Sequence, residues 1–135
     1  MSAASPSDQA GVSLGEVVQL SLLITDTDRA VAFYRDVLEL TYLFTFGQLT
    51  FFNVHGLRLY LHEVPEEEWK PGSVAYFLVD DITQTYDVLV ERGVTTDSPP
   101  HVVYTDESTG IQEWMAFFTD SEGNTLALLS RVPTR

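Results

Sequence analysis

Hydrophobic and polar positions predict the same succession of elements in each half of the chain. In the first half, β-branched and leucine residues over positions 16–25 predict a strand. The apolar positions 30, 33, 34, 37 and 38 then have the i, i+3, i+4, i+7, i+8 spacing of a helix with one buried face, which Asp26 or Thr27 can cap. Three further strands are expected over 41–46, 49–54 and 57–63, with Gly47 and Gly56 at the turns.

The second half repeats this order after a linker at 66–72. A strand is expected over 74–79, and Asp80 or Asp81 can cap a helix that buries Ile82, Tyr86, Leu89 and Val90. Gly93 is well placed to end that helix. Strands are expected near 101–105, 112–118 and 125–130, with Pro99-Pro100 ending a loop before the first of them. Each half is therefore a β-α-β-β-β unit of an α+β protein.

The two halves also repeat each other residue by residue. Asp26 and Asp81 are 55 positions apart, as are Ile24 and Val79, and the segments 55–61 and 122–128 are similar. Repeated units bury their apolar faces against each other, so we expect one domain over 16–132, made of two tandem modules at about 16–65 and 72–132. Residues 1–15 lack periodicity and are expected to form a disordered polar tail.

Composition narrows the class of protein. The 135 residues, 44% of them hydrophobic, suit one globular domain, and there is no apolar run of membrane-spanning length, no signal peptide and no cysteine. We therefore expect a cytoplasmic protein that does not bind membranes. Twenty acidic residues against seven basic ones give a net charge of −13, which disfavours nucleic acid as a partner. The acidity serves either solubility, which we prefer, or attraction of a cationic ligand.

Three segments carry a resemblance to a known family. Residues 25–40 (Thr-Asp-Thr-Asp-Arg-Ala-Val-Ala-Phe-Tyr-Arg-Asp-Val-Leu-Glu-Leu) are similar to the signature Asp-x-x-x-Ala-x-x-Phe-Tyr-x-x-x-Leu-Gly-Leu. Residues 78–81 and 92–94 match the corresponding part of the second half, and residues 117–124 resemble a Phe-x-Asp-Pro-x-Gly-Asn turn. These segments are in register with the internal repeat. Residues 16–132 therefore resemble the vicinal oxygen chelate superfamily, which includes glyoxalases, bleomycin-resistance proteins and dioxygenases.

The resemblance implies a curved mixed sheet around a cleft, with metal ligands on the first and last strand of each module. The corresponding positions here are Gln19, Tyr60, Val74 and Ala127. Valine and alanine have no donor atoms, and a glutamine and a tyrosine alone cannot hold a catalytic divalent ion. We therefore predict no metal site and no cofactor. A relocated metal would have to use His55, His62, His101, Glu63 or Glu113, whose spacing matches no compact ligand motif.

Strand alternation indicates what lines the cleft instead. Leu20, Leu22 and Ile24 should pack under the first helix, which turns Gln19, Ser21 and Leu23 toward the cleft. The predicted ligand-binding residues are Gln19, Ser21, Tyr60, Val74, Tyr76, His101, Trp114 and Ala127. Trp114 is the candidate for stacking and His101 for proton transfer, whereas Phe44, Phe46, Phe51 and Phe52 are expected mostly in the core. Two alternatives remain: these side chains line an open pocket, or they fill the cleft and leave no cavity.

Three functions are compatible with this sequence. The first, which we favour, is a metal-free protein that binds or sequesters a small aromatic or cationic molecule in an apolar cleft. The second is a lyase, isomerase or dioxygenase with a relocated metal, or with acid–base chemistry by His101 or Tyr60 and no metal. The third is a non-catalytic dimeric regulatory module. The resemblance implies a homodimer in each case.

Overall fold

The computed structural model describes residues 11–134, in which eight strands form two four-stranded sheets. In the first sheet β1 runs parallel to β4, the other neighbours are antiparallel, and the order is β1-β4-β3-β2. The elements of this first module are β1 (Gln19–Ile24), α1 (Thr27–Val31), a π-helical continuation (Ala32–Val37), β2 (Thr41–Phe46), β3 (Leu49–Val54) and β4 (Leu57–Glu63).

The second module has the same topology, with strand order β5-β8-β7-β6 and a parallel β5–β8 pair. Its elements are β5 (Ala75–Leu78), α2 (Ile82–Glu91), β6 (Thr95–Asp106), β7 (Ile111–Thr119) and β8 (Thr125–Pro133), and a 3₁₀ turn (Glu66–Glu68) lies in the linker before it. The predicted α+β class and βαβββ repeat are therefore confirmed. Over residues 11–134, no helix is long and apolar enough to cross a membrane.

Equivalent aspartates begin the two helices. The carboxylate of Asp26 accepts a hydrogen bond from the Arg29 amide, and that of Asp81 from the Gln84 amide, each at 3.0 Å. Both aspartates have extended backbone, as an N-cap residue requires. The first helix differs from the prediction after Val31, because its turns widen to the π form, in which the Leu38 amide donates to the Phe33 carbonyl at 3.0 Å.

The strand β6 is longer than the sequence predicts and includes Pro99 and Pro100. Proline has no amide hydrogen and would break the ladder of a central strand, which is why we expected a loop. β6 is an edge strand, so one side of its backbone needs no partner strand. Its pairing with β7 shifts register between Ser98 and His101, which accommodates the two prolines.

One hydrophobic core joins the two modules. Leu22 and Ile24 are buried as predicted, but Leu20 is 42% exposed because it lies at the start of β1. The largest fully buried apolar side chains come from both halves of the chain: Tyr34, Phe52, Ile24, Leu59, Leu61 and Leu126. Since these residues form a single cluster, the modules share one core.

The predicted polar tail at 1–15 lies mostly outside the described residues. Residues 11–18, the part that the structure describes ahead of β1, are exposed and belong to no helix or strand.

The turn between β7 and β8, residues 120–124, holds the modules together through polar contacts. The buried carboxylate of Glu122 accepts hydrogen bonds from the backbone amides of Thr25 and Asp26, at 2.9 and 3.0 Å, and from Arg29 Nε at 2.7 Å. Burial alone would raise the pKa of Glu122, but hydrogen bonds from Arg29, Thr25, Ser121 and Asp26 lower it by more, so the net shift is downward. The ionised carboxylate is therefore part of the folded structure.

A second contact from the same turn lies deeper in the protein. The Tyr34 hydroxyl donates to Asp120 Oδ2 at 2.5 Å, and Asp120 Oδ1 accepts from the amides of Glu122 and Asn124 at 2.8 Å each. Burial raises the pKa of Tyr34 well above its ordinary value, and the neighbouring Asp120 carboxylate raises it further. The tyrosine therefore stays protonated and continues to donate to Asp120.

We predict that Glu122→Gln lowers the free energy of unfolding by about 2 kcal/mol at pH 7, because hydrogen bonds to a charged, buried acceptor are weakened together. The folded pKa lies below the unfolded value of about 4.3, so this stabilisation is present above that pH and is lost as pH falls through the folded pKa. Urea denaturation at pH 7 and pH 3 measures the difference.

The matched control is Glu113→Gln, which removes the exposed ion pair with Arg131, 3.0 Å long. Exposed pairs contribute little, so this variant should lose less than about 1 kcal/mol at pH 7. Equal losses in the two variants would contradict the role given to Glu122.

Candidate functional site

Aromatic rings form a continuous row on the face of the first sheet that points away from the core. The ring centroids of Phe44 and Phe51 are 4.7 Å apart, those of Phe51 and Tyr60 5.4 Å, and those of Tyr60 and His62 6.1 Å. The Arg58 guanidinium lies 5.1 Å from the centroid of the Phe51 ring. We call these five residues the aromatic face.

Three predicted site residues lie together on this face. Ser21 is the strand partner of Tyr60, and Gln19, two residues before Ser21 in β1, is the partner of Arg58. Residues paired in this way direct their side chains to the same side of a sheet. Gln19, Ser21 and Tyr60 therefore supply hydrogen-bonding groups beside the row of rings.

Three more predicted residues share a face of the second sheet. Tyr76 pairs with Ala127 and Ala127 with Phe117, and the rings of Tyr76 and Phe117 meet edge to face at 6.2 Å. Ala127 is fully buried at this point, whereas Tyr76 is half-exposed. His101 pairs with Met115, two residues from Phe117, and thus lies on the same face two strands away from β8.

The other two predicted residues lie elsewhere. Trp114 pairs with Ser130 and packs against the hydrophobic core, on the opposite side of β7 from Phe117. Its indole nitrogen lies 3.3 Å from Gln112 Oε1. Val74 precedes β5 and is half-buried. The structure thus distributes the eight predicted residues between two sheet faces, the core and the start of β5.

Phe51, Phe44 and Arg58 belong to the aromatic face, although sequence reasoning assigned the phenylalanines mostly to the core and did not consider the arginine. Phe52 is fully buried, and Phe51, the next residue along β3, necessarily points the other way. That alternation is the sequence signal that could have identified Phe51. Phe44 follows a register shift in β2, which interrupts simple alternation.

A pocket of about 670 Å³ lies between the modules, and we call it the inter-module pocket. One wall is β5 with one side of α2, and the other consists of residues 37–40 and the β3–β4 turn. Its lining is mostly apolar, with Gln84, Thr85 and His55 among the polar groups. Arg92 bonds Glu39 Oε2 and the Val37 carbonyl across it, at 2.6 Å each. Sequence reasoning missed this pocket because its walls are distant in the chain.

Three of the five donors considered for a relocated metal, Glu63, Glu113 and His101, have other partners. Glu63 accepts from the amide and hydroxyl of Thr27 at 2.9 and 2.6 Å, and Glu113 is paired with Arg131. His101 Nδ1 lies 2.8 Å from the Pro99 carbonyl oxygen. Across residues 11–134, no three histidine, cysteine, aspartate or glutamate side chains are grouped so that they could hold a metal ion.

Several solved structures share this fold. A lactoylglutathione lyase from Agrobacterium tumefaciens is 20% identical with a TM-score of 0.67, over 87% of this chain and 95% of that chain. A virulence protein from Salmonella typhimurium is 16% identical with a TM-score of 0.71, over 90% and 100%. A superfamily member from Sphaerobacter thermophilus is 22% identical with a TM-score of 0.66, over 87% and 98%. At such identities the likeness concerns the fold alone.

Sequence comparison identifies the family. No curated protein matches the chain. The sequence profile of the Glyoxalase/Bleomycin resistance protein/Dioxygenase superfamily matches residues 16–128, which is most of the chain and includes both modules. Together with the two βαβββ modules, this match shows that the chain belongs to the Glyoxalase/Bleomycin resistance protein/Dioxygenase superfamily.

Proposed function

We propose that this protein binds a small, flat aromatic molecule on its aromatic face without the help of a metal ion. The observation that carries the proposal is the row of four rings, Phe44, Phe51, Tyr60 and His62, which neighbouring side chains leave partly open to solvent. Rings arranged in this way offer stacking surfaces to a flat ligand. Gln19 and Ser21 can fix its orientation by hydrogen bonds.

The positions at which the superfamily places metal ligands do not suit a divalent ion here. Gln19 and Tyr60 are neutral oxygen donors on the first sheet, whereas Val74 and Ala127 have no side-chain donor. Divalent transition metals require several imidazole, carboxylate or thiolate donors converging on one point. We therefore infer that this chain holds its ligand by aromatic stacking instead of metal coordination.

Charge affects which aromatic ligands can approach. The net charge of −13 repels anions at long range and attracts cations. Arg58, which lies over Phe51, is the basic group on the aromatic face itself and opposes a cation placed directly beside it. We expect a neutral ligand, or one whose positive group extends away from Arg58.

Acid–base catalysis is the alternative for which the structure offers least support. His101 and Tyr60, the residues considered for it, are on different sheets, and the imidazole Nδ1 is occupied by the Pro99 carbonyl. A general base must reach the proton that it removes, so two groups on separate sheets do not form a catalytic pair unless a substrate bridges them.

We predict that the neutral planar fluorophore N-methylacridone binds the wild-type protein and binds Tyr60→Leu about tenfold more weakly, because the substitution removes a ring from the middle of the row and base–aromatic stacking contributes about 1–3 kcal/mol per ring. Fluorescence titration gives both dissociation constants. Circular dichroism confirms that the variant is folded.

Tyr104→Leu is the matched control, since Tyr104 is an exposed tyrosine on β6 of the other sheet. It should bind N-methylacridone as the wild-type protein does. Equal weakening in the two variants, or no saturable binding to the wild-type protein, would contradict the proposal.

We also propose that the protein forms a homodimer, in which a second copy covers part of the exposed apolar surface. Phe46 is 73% exposed and Phe44 45%, both on the edge strand β2. Exposed apolar groups concentrated in one region are typical of interaction surfaces. An edge strand is also a natural place for two copies to meet.

Light scattering coupled to size-exclusion chromatography should therefore give twice the chain mass of 15.1 kDa. Phe46→Gln should raise the dimer dissociation constant at least about tenfold, since an aromatic anchor is removed. Val90→Gln, at an exposed position of α2, is the control and should remain dimeric. A monomeric wild-type protein would contradict this part of the proposal.

A further inference from the structure

The two modules meet each other differently at equivalent places. The repeat relates β1 to β5 by 55 positions, and the β7–β8 turn to the β3–β4 turn by 67 positions, so that Leu23 corresponds to Leu78 and Gly123 to Gly56. Next to β1 the space between strand and turn is filled by side chains. Next to β5 the equivalent space is the inter-module pocket.

Trp69 fills the space beside β1. Its indole N–H donates to the Leu23 carbonyl at 2.9 Å, and the Asn124 side-chain amide donates to the same oxygen at 2.9 Å. The ring also lies against the turn, because a Cβ added to Gly123 would be 3.4 Å from the Trp69 ring. The indole ring and the Asn124 amide therefore both join the free edge of β1 to the turn of the other module.

The equivalent place beside β5 has the same backbone groups, but no tryptophan is among the residues that line it. The Val79 amide donates to the Leu129 carbonyl of β8, so alternation directs the amide and carbonyl of Leu78 away from β8, toward the free edge of β5. A Cβ added to Gly56 would meet no atom within 4 Å. Both Leu78 and His55, the neighbour of Gly56, line the inter-module pocket.

We propose that the inter-module pocket is a second ligand site, which takes a neutral, flat, bicyclic aromatic molecule with a ring N–H. Such a molecule would take beside β5 the place that the Trp69 side chain has beside β1. Its N–H would donate to the Leu78 carbonyl, and its ring would lie against the β3–β4 turn. This site is separate from the aromatic face, and its test does not depend on binding there.

The chemistry of the pocket fits a ligand of this class. Val88, Phe77 and Leu78 supply apolar surface for a ring, and a volume of about 670 Å³ lies within the usual range for small-molecule sites. Arg92 is already paired with Glu39, so a ligand carboxylate would have to compete with Glu39 for it. An uncharged ligand therefore suits the pocket better than an anionic one.

Isothermal titration of the Tyr60→Leu variant of the full chain with indole tests the proposal, because this variant lacks a ring of the aromatic face and binding there does not obscure the pocket. We expect one site with a dissociation constant on the order of 100 μM, as suits a ligand of this small size. 1-Methylindole has the same ring but no N–H, so it should bind about fivefold more weakly. Equal affinity for the two compounds, or no saturable binding up to the solubility limit of indole, would overturn the proposal.

A matched pair of variants locates the site. Val88 lines the pocket, whereas Val90 is an exposed residue on the same helix that does not. Added to Tyr60→Leu, Val88→Trp should abolish indole binding by placing a ring where the ligand would lie, and Val90→Trp should retain it. Backbone amide NMR shifts of the wild-type protein provide a measurement that needs no variant. Indole should move the amides of 76–79 and 84–92, and shifts confined to β3 and β4 would overturn the assignment.

Removal of the internal ring gives a second, independent test. Trp69→Gly leaves the Leu23 carbonyl without its indole donor, and it should lower the melting temperature. Because indole can then occupy both equivalent places, it should raise the melting temperature of this variant by more than that of the wild-type protein, and the stoichiometry should rise by one molecule per chain. A smaller rise in the variant than in the wild-type protein would contradict the equivalence of the two places.

Discussion

The insertion of the β7–β8 turn against the start of the first helix is the contact on which the rest of the structure depends. Glu122 and Asp120 accept hydrogen bonds from the backbone and side chains of the other module, and Tyr34 extends this contact into the core. Buried acceptors that lose such donors are costly, so the two modules are held in one relative arrangement. Both the shared core and the inter-module pocket follow from that arrangement.

The same contact also makes the protein asymmetric. The repeat gives each module an equivalent edge strand and an equivalent turn, yet only one of the two places carries an acidic turn and a tryptophan beside it within residues 11–134. At the other place Gln84 corresponds to Arg29 and His55 to Glu122, so the strong ion pair has no counterpart there. The internal repeat therefore gives a tight contact between the modules at one place and an open pocket at the equivalent place.

Under the proposed function, stacking on aromatic rings replaces metal coordination. The two positions on the first sheet at which the family resemblance implies metal ligands carry Gln19 and Tyr60, and Tyr60 is part of the row of rings. Stacking requires only aromatic side chains that point to one face of a β-sheet, whereas metal coordination requires several charged or imidazole donors at one point. The proposed change from coordination to stacking therefore leaves the fold intact and alters only the outward-facing side chains of the strands.

Periodicity along the chain predicted the two βαβββ modules and limited each helix cap to two adjacent residues, because these features depend on neighbouring residues and on the repeat. The structure selects Asp26 and Asp81 as the caps, and the match to the sequence profile establishes the family that the segments resemble. Only the tertiary structure decided which side chains meet. Trp114 packs against the core, Phe44 follows a register shift, and β6 includes two prolines because it is an edge strand. The inter-module pocket joins residues distant in the chain, and no local pattern encodes the space between two packed modules.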